Sequence, residues 1–297
     1  MAILTFVILF VFGLCVGSFL NVIIYRLPRG LDFVKGRSFC PRCKKKINWF
    51  DNIPLLSFFL LGGKCRNCKK PISLRYPLVE LITGILTVLV ISFQLASLRG
   101  RSGSSVLSSP RFAVEAGLQT VYLLLLVWSL IPIFFIDLEH QIIPDQILVF
   151  MGLVSFILTL TTNHPARLAS PAGQGLALSG WLGEAGRQSL VTNYLPTAIV
   201  SAGFFLFLFL ITRGKGMGLG DVKFAFLIGL VLGFPKVIPA FYLAFLTGAI
   251  VGIILILVKK AKFGRPIPFG PFLVMGMLII MFFGERLLRF LGQMLPS

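Results

Sequence analysis

"GKGMGLGDVKFAFLIGLVLGF", residues 214–234, decides the class of this fold. Four glycines lead to Asp221, and an almost unbroken apolar run begins directly behind it. A carboxylate at the mouth of such a run is either a helix cap or a group kept for chemistry, because an unpaired acid in hydrocarbon is costly. The rest of the chain decides between the two.

Hydrophobic residues make up 57% of the 297 and charged residues 13%, and the mean hydropathy is +0.94. A soluble domain carries about 25% charged residues. Runs near 20 apolar residues, each enough to cross roughly 30 Å of hydrocarbon, recur along the chain. The pattern predicts an all-α polytopic membrane protein with about eight transmembrane helices and a small cytoplasmic insert. The spans fall near 3–25, 77–96, 118–136, 142–161, 191–212, 222–234, 237–258 and 270–292. Pro235-Lys236 separates the sixth from the seventh only thinly, which leaves their division open. The first span lacks a basic lead-in and a small-residue cleavage site, so it reads as a retained helix.

Basic residues orient the chain. With the N-terminus outside, the inner segments hold thirteen Lys and Arg in 26–76, three at Arg213, Lys215 and Lys223, and four at Lys259, Lys260, Lys262 and Arg265. Loop 26–76 is therefore expected in the cytoplasm. The net charge of +18 calls for the lipid bilayer and its anionic headgroups as partner, and for no nucleic acid.

Three regions follow: a first transmembrane helix in 1–25, the insert in 26–76, and a transmembrane domain in 77–297. Two outer loops, 97–111 and 163–188, are rich in Gly, Ser, Pro and Ala and read as flexible connectors in which His164 is solvated. The insert repeats itself: "CPRCKKKI" (40–47) is echoed by "CRNCKKPI" (65–72). Four thiolates at Cys40, Cys43, Cys65 and Cys68 suit a closed, tetrahedral, structural zinc site. Metal-free thiols or a redox pair is the alternative, and stable disulfides are disfavoured in the cytosol. A zinc crosslink would also order an insert too small to bury much core. Cys15, inside the first span, reads as packing.

The chain has only ten carboxylates. Asp32 and Asp51 read as solvated, Glu115 and Glu184 fall in outer loops, and Glu285 sits beside Arg286 and Arg289. Glu80, Asp137, Glu139, Asp145 and Asp221 all fall at cytoplasmic ends of spans. Capping or interfacial anchoring accounts readily for Asp145 and Glu139. Asp221 follows Gly216, Gly218 and Gly220, whose backbone can approach other groups closely or take φ > 0. Asp137 follows the uncharged "LIPIFFI". A phosphate-cradling loop is a weak reading of the glycines, since the Gly-Lys-Ser/Thr ending is missing. Two carboxylates ~4 Å apart repel by about 4 kcal/mol at an effective dielectric of 20, so one would hold a proton while its neighbour stays ionised. Such a pair can hydrolyse a peptide with neither metal nor serine.

At this point the sequence resembles a family. Gly218-Leu219-Gly220-Asp221 is similar to the GxGD signature of membrane aspartyl proteases. "FIDLEHQIIPD" (135–145) and "GMGLGDVKFA" (216–225) resemble the two catalytic segments of bacterial type IV prepilin peptidases. "GSFLNVIIYRLP" (17–28), the double cysteine knuckle and "RYPLVE" (75–80) resemble that family's N-terminal half. The resemblance implies an inner-membrane enzyme that cuts the basic leader from prepilins or pseudopilins at the cytoplasmic face. It also implies methylation of the new N-terminal amine with S-adenosylmethionine. On this reading Asp137 and Asp221 are catalytic, with Gly218, Gly220, Glu139, Pro144, Asp145 and Lys223 in support, and the four cysteines hold zinc. Asn21, Arg26 and Glu80 match motif positions and are candidates for the cofactor; no Gly-rich dinucleotide fingerprint marks a pocket. The substrate's apolar helix, docked among the spans, would offset repulsion between its basic leader and the insert. A zinc-bearing assembly scaffold or inactive homologue would leave the two aspartates unused. A transporter would place its polar groups nearer mid-membrane.

Overall fold

The computed structural model describes residues 2–34, 36–99, 110–162, 193–214, 216–258 and 268–294. Within them the fold is helical, with strand-like pairing confined to two isolated bridges. The helices are α1 (Ala2–Arg26), a short α2 (Leu56–Leu60), α3 (Arg75–Arg99), α4 (Pro110–His140), α5 (Asp145–Thr162), α6 (Leu195–Ile211), α7 (Leu219–Leu232), α8 (Val237–Leu257) and α9 (Gly270–Met294). By length and composition α1, α3, α4, α8 and α9 can cross a membrane, while α5 and α6 are shorter apolar helices.

Eight of these helices, all but α2, lie over the eight stretches read from hydropathy. The open boundary resolves at Gly233, which closes α7 with φ +65°, and α8 starts at Val237. Helix ends run further than hydropathy indicated. Thus α3 reaches Arg99 and α4 begins at Pro110, taking up both ends of the expected 97–111 connector. Backbone hydrogen bonding carries a helix past the point where its side chains stop being apolar. The rest of that connector, loop 163–188 with His164 and Glu184, and Lys215 with Lys259, Lys260, Lys262 and Arg265 lie outside the described residues.

Helix α4 is the hub. It packs against α1, α3, α5 and α9, and Val127, Leu130, Ile133 and Ile136 are completely buried along it. Large apolar side chains at the periphery, such as Ile3, Val200 and Leu257, are exposed. Exposed apolar side chains on long hydrophobic helices suit contact with lipid.

Close helix pairing rests on small residues. Helices α1 and α3 pack along each other, and a β-carbon on Gly17 would lie 2.7 Å from the Glu80 Cα, one on Gly13 2.7 Å from the Thr87 hydroxyl. Gly13 and Gly17 are a small-xxx-small pair, which lets two backbones approach in lipid. That contact brings the start of α3, and Glu80 with it, against α1. Gly17→Val is expected to destabilise the protein by more than about 1 kcal/mol through overpacking. Gly203→Val, at a glycine with open space around it, serves as the matched control at under about 0.5 kcal/mol. Unfolding titrations in detergent micelles measure both.

Candidate active site and cysteine centre

Asp221 lies in the first turn of α7. Gly218, the residue capping that helix, is extended (φ −87°, ψ 158°). Its N–H donates to Asp221 Oδ2 at 3.0 Å. The carboxylate therefore reaches back over the helix N-terminus, where its charge is favoured. The expectation of positive φ at Gly218 or Gly220 is not met: in this loop Gly214 takes that conformation, at +71°. Gly220 is needed for close approach instead. A β-carbon there would stand 3.1 Å from Ile143 Cβ, so Gly220 lets the segment before α5 lie directly on the start of α7.

Asp137 sits one turn before the end of α4 and is 4% exposed; Asp221 is 7% exposed. Asp137 Oδ2 accepts the backbone N–H of Gly270, the first residue of α9, at 2.9 Å. A β-carbon on Gly270 would fall 2.7 Å from that same oxygen. Each aspartate is thus held on the N-terminus of a helix, α7 or α9. Two buried carboxylates, each accepting a backbone N–H at a helix start, are the kind of groups an acid–base pair is built from.

The flanking residues separate by role. Pro144 precedes α5, and its carbonyl accepts the N–H groups of Ile147 and Leu148. Asp145 opens α5 and forks onto Lys223 Nζ, 2.8 Å to each oxygen, tying the two motifs together. Glu139 accepts from Arg75 Nη1 at 2.5 Å, bridging α4 to the start of α3. Asp51, read as solvated, is instead gripped by Arg66 through three hydrogen bonds. Glu285 pairs with Lys236 of the α7–α8 turn at 2.7 Å.

The four cysteines converge. Their sulfurs lie within 4.8 Å of one another, and Cys40 and Cys68 stand 4.0 Å apart. Sulfurs about 2.3 Å from one tetrahedral ion are themselves about 3.8 Å apart, so the set fits zinc. The sequence near-repeat is a structural repeat too. Cys40 N–H bonds Lys45 O and Lys44 N–H bonds Cys40 O, while Cys65 with Lys70 and Lys69 with Cys65 do the same, all at 2.9 Å. Lys44 and Lys69 take matching left-handed φ of 59° and 56°. Burial pushes the Cys40 thiol up to about 11, whereas the Cys68 backbone N–H draws Cys65 down to about 7.

A cavity of about 380 Å³ lies between this centre and the ends of α1 and α3, and Asn21, Arg26 and Glu80 all line it. Glu80 Oε2 accepts the N–H of Leu55 at 2.9 Å, fixing a non-glycine residue at φ +58°. Arg26 donates to the carbonyls of Asp32 and Arg37 and lies over the Phe39 ring. Both side chains hold the insert onto the helices. Asn21 differs: Nδ2 donates to Tyr76 O, while Oδ1 is buried with no partner.

Gly270, Ile143 and Arg75 were not singled out by sequence reasoning. Gly270, in "PFGP" (268–271), carried the one available signal, a glycine at a helix start. Arg75 lies within "RYPLVE" with no mark of its reach to Glu139.

A helical, membrane-type chain with paired buried acids and a four-cysteine centre is the class these features define. Residues 11–94 match the bacterial peptidase A24 N-terminal domain, and residues 124–253 match the type IV leader peptidase family. The chain is 33% identical to a prepilin leader peptidase/N-methyltransferase of Aeromonas hydrophila over 96% of its own length and 93% of that protein's. A protein of the same name from Pseudomonas aeruginosa is 34% identical over 93% of this chain and 90% of its own. The namesake from Bacillus subtilis is 31% identical over 97% and 98%. No solved structure matches. The chain belongs to the type IV leader peptidase family.

The Asp145–Lys223 pair is exposed at both ends, 61% and 55%, and such pairs contribute little stability. A double-mutant cycle of Asp145→Ala and Lys223→Ala is expected to give a coupling under about 1 kcal/mol in thermal or chemical unfolding.

Proposed function

We infer that this chain is a leader peptidase of type IV prepilins and an N-methyltransferase of the amine it frees. The observation that carries the peptidase reading is the placement of Asp137 and Asp221, both buried and each held by a helix N-terminus. We propose that these two are the catalytic acids. The ionised one takes a proton from water as the water oxygen bonds to the scissile carbonyl carbon, and the protonated one donates to the carbonyl oxygen. Collapse of the tetrahedral adduct breaks the C–N bond, and the leaving amine takes up a proton.

In this reading Gly220 and Gly218 let α7 begin against the substrate-facing segment, and Pro144 sets the start of α5. Asp145 with Lys223 joins the two motifs, and Glu139 anchors α4 to α3. All eight helices other than α2, the five long ones and the shorter α5, α6 and α7, cross the bilayer, with the N-terminus outside and both the acids and the insert at the cytoplasmic face; the thirteen basic residues of 26–76 support this orientation. The division into 1–25, 26–76 and 77–297 follows from the same reading. Zinc on the four cysteines is structural: the shell is closed, and no water can be activated there. S-adenosylmethionine supplies the methyl group. The substrate, a prepilin or pseudopilin, is held mainly by its apolar helix.

Asp137→Asn and Asp221→Asn are each expected to lower leader cleavage by at least about 10³-fold, while Glu115→Gln leaves it unchanged. Mass spectrometry of a prepilin incubated with purified enzyme reads the result, and substantial cleavage by either variant would sink the mechanism. Gly270→Ala, which puts a methyl against Asp137, should also slow cleavage markedly.

Protein purified without chelator is expected to carry about one zinc per chain. Exchanging Cys40 and Cys43 for serine should release the ion and speed proteolysis within 26–76. Elemental analysis finding no metal in the unaltered protein would defeat this.

A further inference from the structure

We propose that the cavity beneath the cysteine centre is the pocket for the methyl group's carrier, S-adenosylmethionine, and that Asn21 and Arg75 are its polar contacts. The proposal rests on the methyltransferase reading above. It assigns a place and a division of labour that the motif resemblance leaves open.

At about 380 Å³ the cavity has the size of a small-molecule pocket. It is formed jointly by α1, α3, α2 and the two knuckles, so it exists only when the insert is folded. Aromatic rings of Tyr25, Phe39, Phe58 and Tyr76 line it, giving apolar surface on which a purine can lie. Of the three motif candidates, Arg26 and Glu80 already use their polar groups to hold the insert in place. They act as positioning residues.

Two other atoms on lining side chains are buried and lack partners: the acceptor Asn21 Oδ1 and the donor Arg75 Nε. Buried polar groups are nearly always paired, and an orphan asks for a missing partner. An adenosyl amino acid brings both kinds. Its amino groups can donate to Asn21, and its carboxylate can accept from Arg75. The exposed cations Arg42, Lys45 and Lys70 at the margin favour that carboxylate as well. A zinc ion with four thiolates would leave the cysteine centre with net negative charge, which suits a neighbouring sulfonium.

Arg75 also marks the route between the two sites. Its guanidinium lines the cavity and pairs with Glu139, two residues beyond Asp137 on α4. The Arg75–Glu139 pair thus links a cavity-lining residue to the end of α4 that carries Asp137. In the transfer the lone pair of the freed N-terminal amine forms a C–N bond to the methyl carbon while the C–S bond breaks, the electron pair returning to sulfur. The resulting ammonium then releases one proton to water.

The test is binding of S-adenosylmethionine to full-length protein in detergent by calorimetry, with methylation of a pre-cleaved pilin followed by mass. Asn21→Leu, monodisperse and with unaltered helix content, should bind at least about ten-fold more weakly, and Asn21→Asp, which keeps the acceptor oxygen, should bind better than Asn21→Leu. Ser57→Trp, which fills the cavity from α2, should lose binding while still cleaving leaders at the normal rate. Normal affinity in both Asn21→Leu and Ser57→Trp would overturn the placement. No binding and no methylation by the unaltered enzyme would instead overturn the methyltransferase reading itself.

Discussion

Burying an acid among apolar helices forces every neighbouring element into a restricted arrangement. The carboxylate must meet a donor, and in a helical membrane protein most backbone donors are already spent inside helices. Helix N-termini are the exception, because their first N–H groups have no partner within the helix. Asp137 and Asp221 are both answered in this way, by Gly270 at the start of α9 and Gly218 at the start of α7. For Asp137 to reach that donor, α9 must begin against the end of α4, and Gly270 must lack a side chain. For Asp221 to be answered, α7 must begin at its cap, Gly218, whose N–H the carboxylate accepts. The packing of α4 with α9, and of α7 with both α5 and α9, follows from meeting these conditions.

The sequence revealed the helices because hydropathy acts locally, and it revealed the acids because there are so few of them. Its limits lie where partners are distant along the chain. Of the two roles read for the glycines before Asp221, close approach holds at Gly220, against Ile143 across the α5–α7 packing, while positive φ does not, and only the folded partner decides between them. Asp51 read as solvated because Arg66 is fifteen residues away and joins it only when the knuckle closes. The cysteines were legible as a cluster because a metal-binding spacing is itself a statement about three-dimensional proximity. The cavity was invisible for the opposite reason. It is bounded by α1, α2, α3 and both knuckles and has no local signature.

The motif positions Asn21, Arg26 and Glu80 illustrate why matching residues does not assign their roles. All three line one cavity, yet their hydrogen bonds divide them. A side chain whose polar atoms are satisfied by the protein cannot also recognise a ligand without losing those bonds, at about 1–3 kcal/mol for each group left unpaired. Arg26 and Glu80 are in that position: releasing either would free the insert backbone at Asp32, Arg37 or the strained Leu55.

That reasoning bears on why two chemistries would share one chain. Hydrolysis by paired acids needs a low-dielectric environment that still admits the attacking water. Capture of a zwitterionic methyl carrier needs fixed cations and hydrogen-bonding groups, which such an environment cannot tolerate close by. A cation beside Asp137 and Asp221 would hold both in the ionised form and remove the acid from the pair. Near the two motifs Lys223 is paired with Asp145 and Arg75 with Glu139. Each of these cations thus carries its own carboxylate partner, so neither is left as an unpaired charge that could hold the proposed acids ionised.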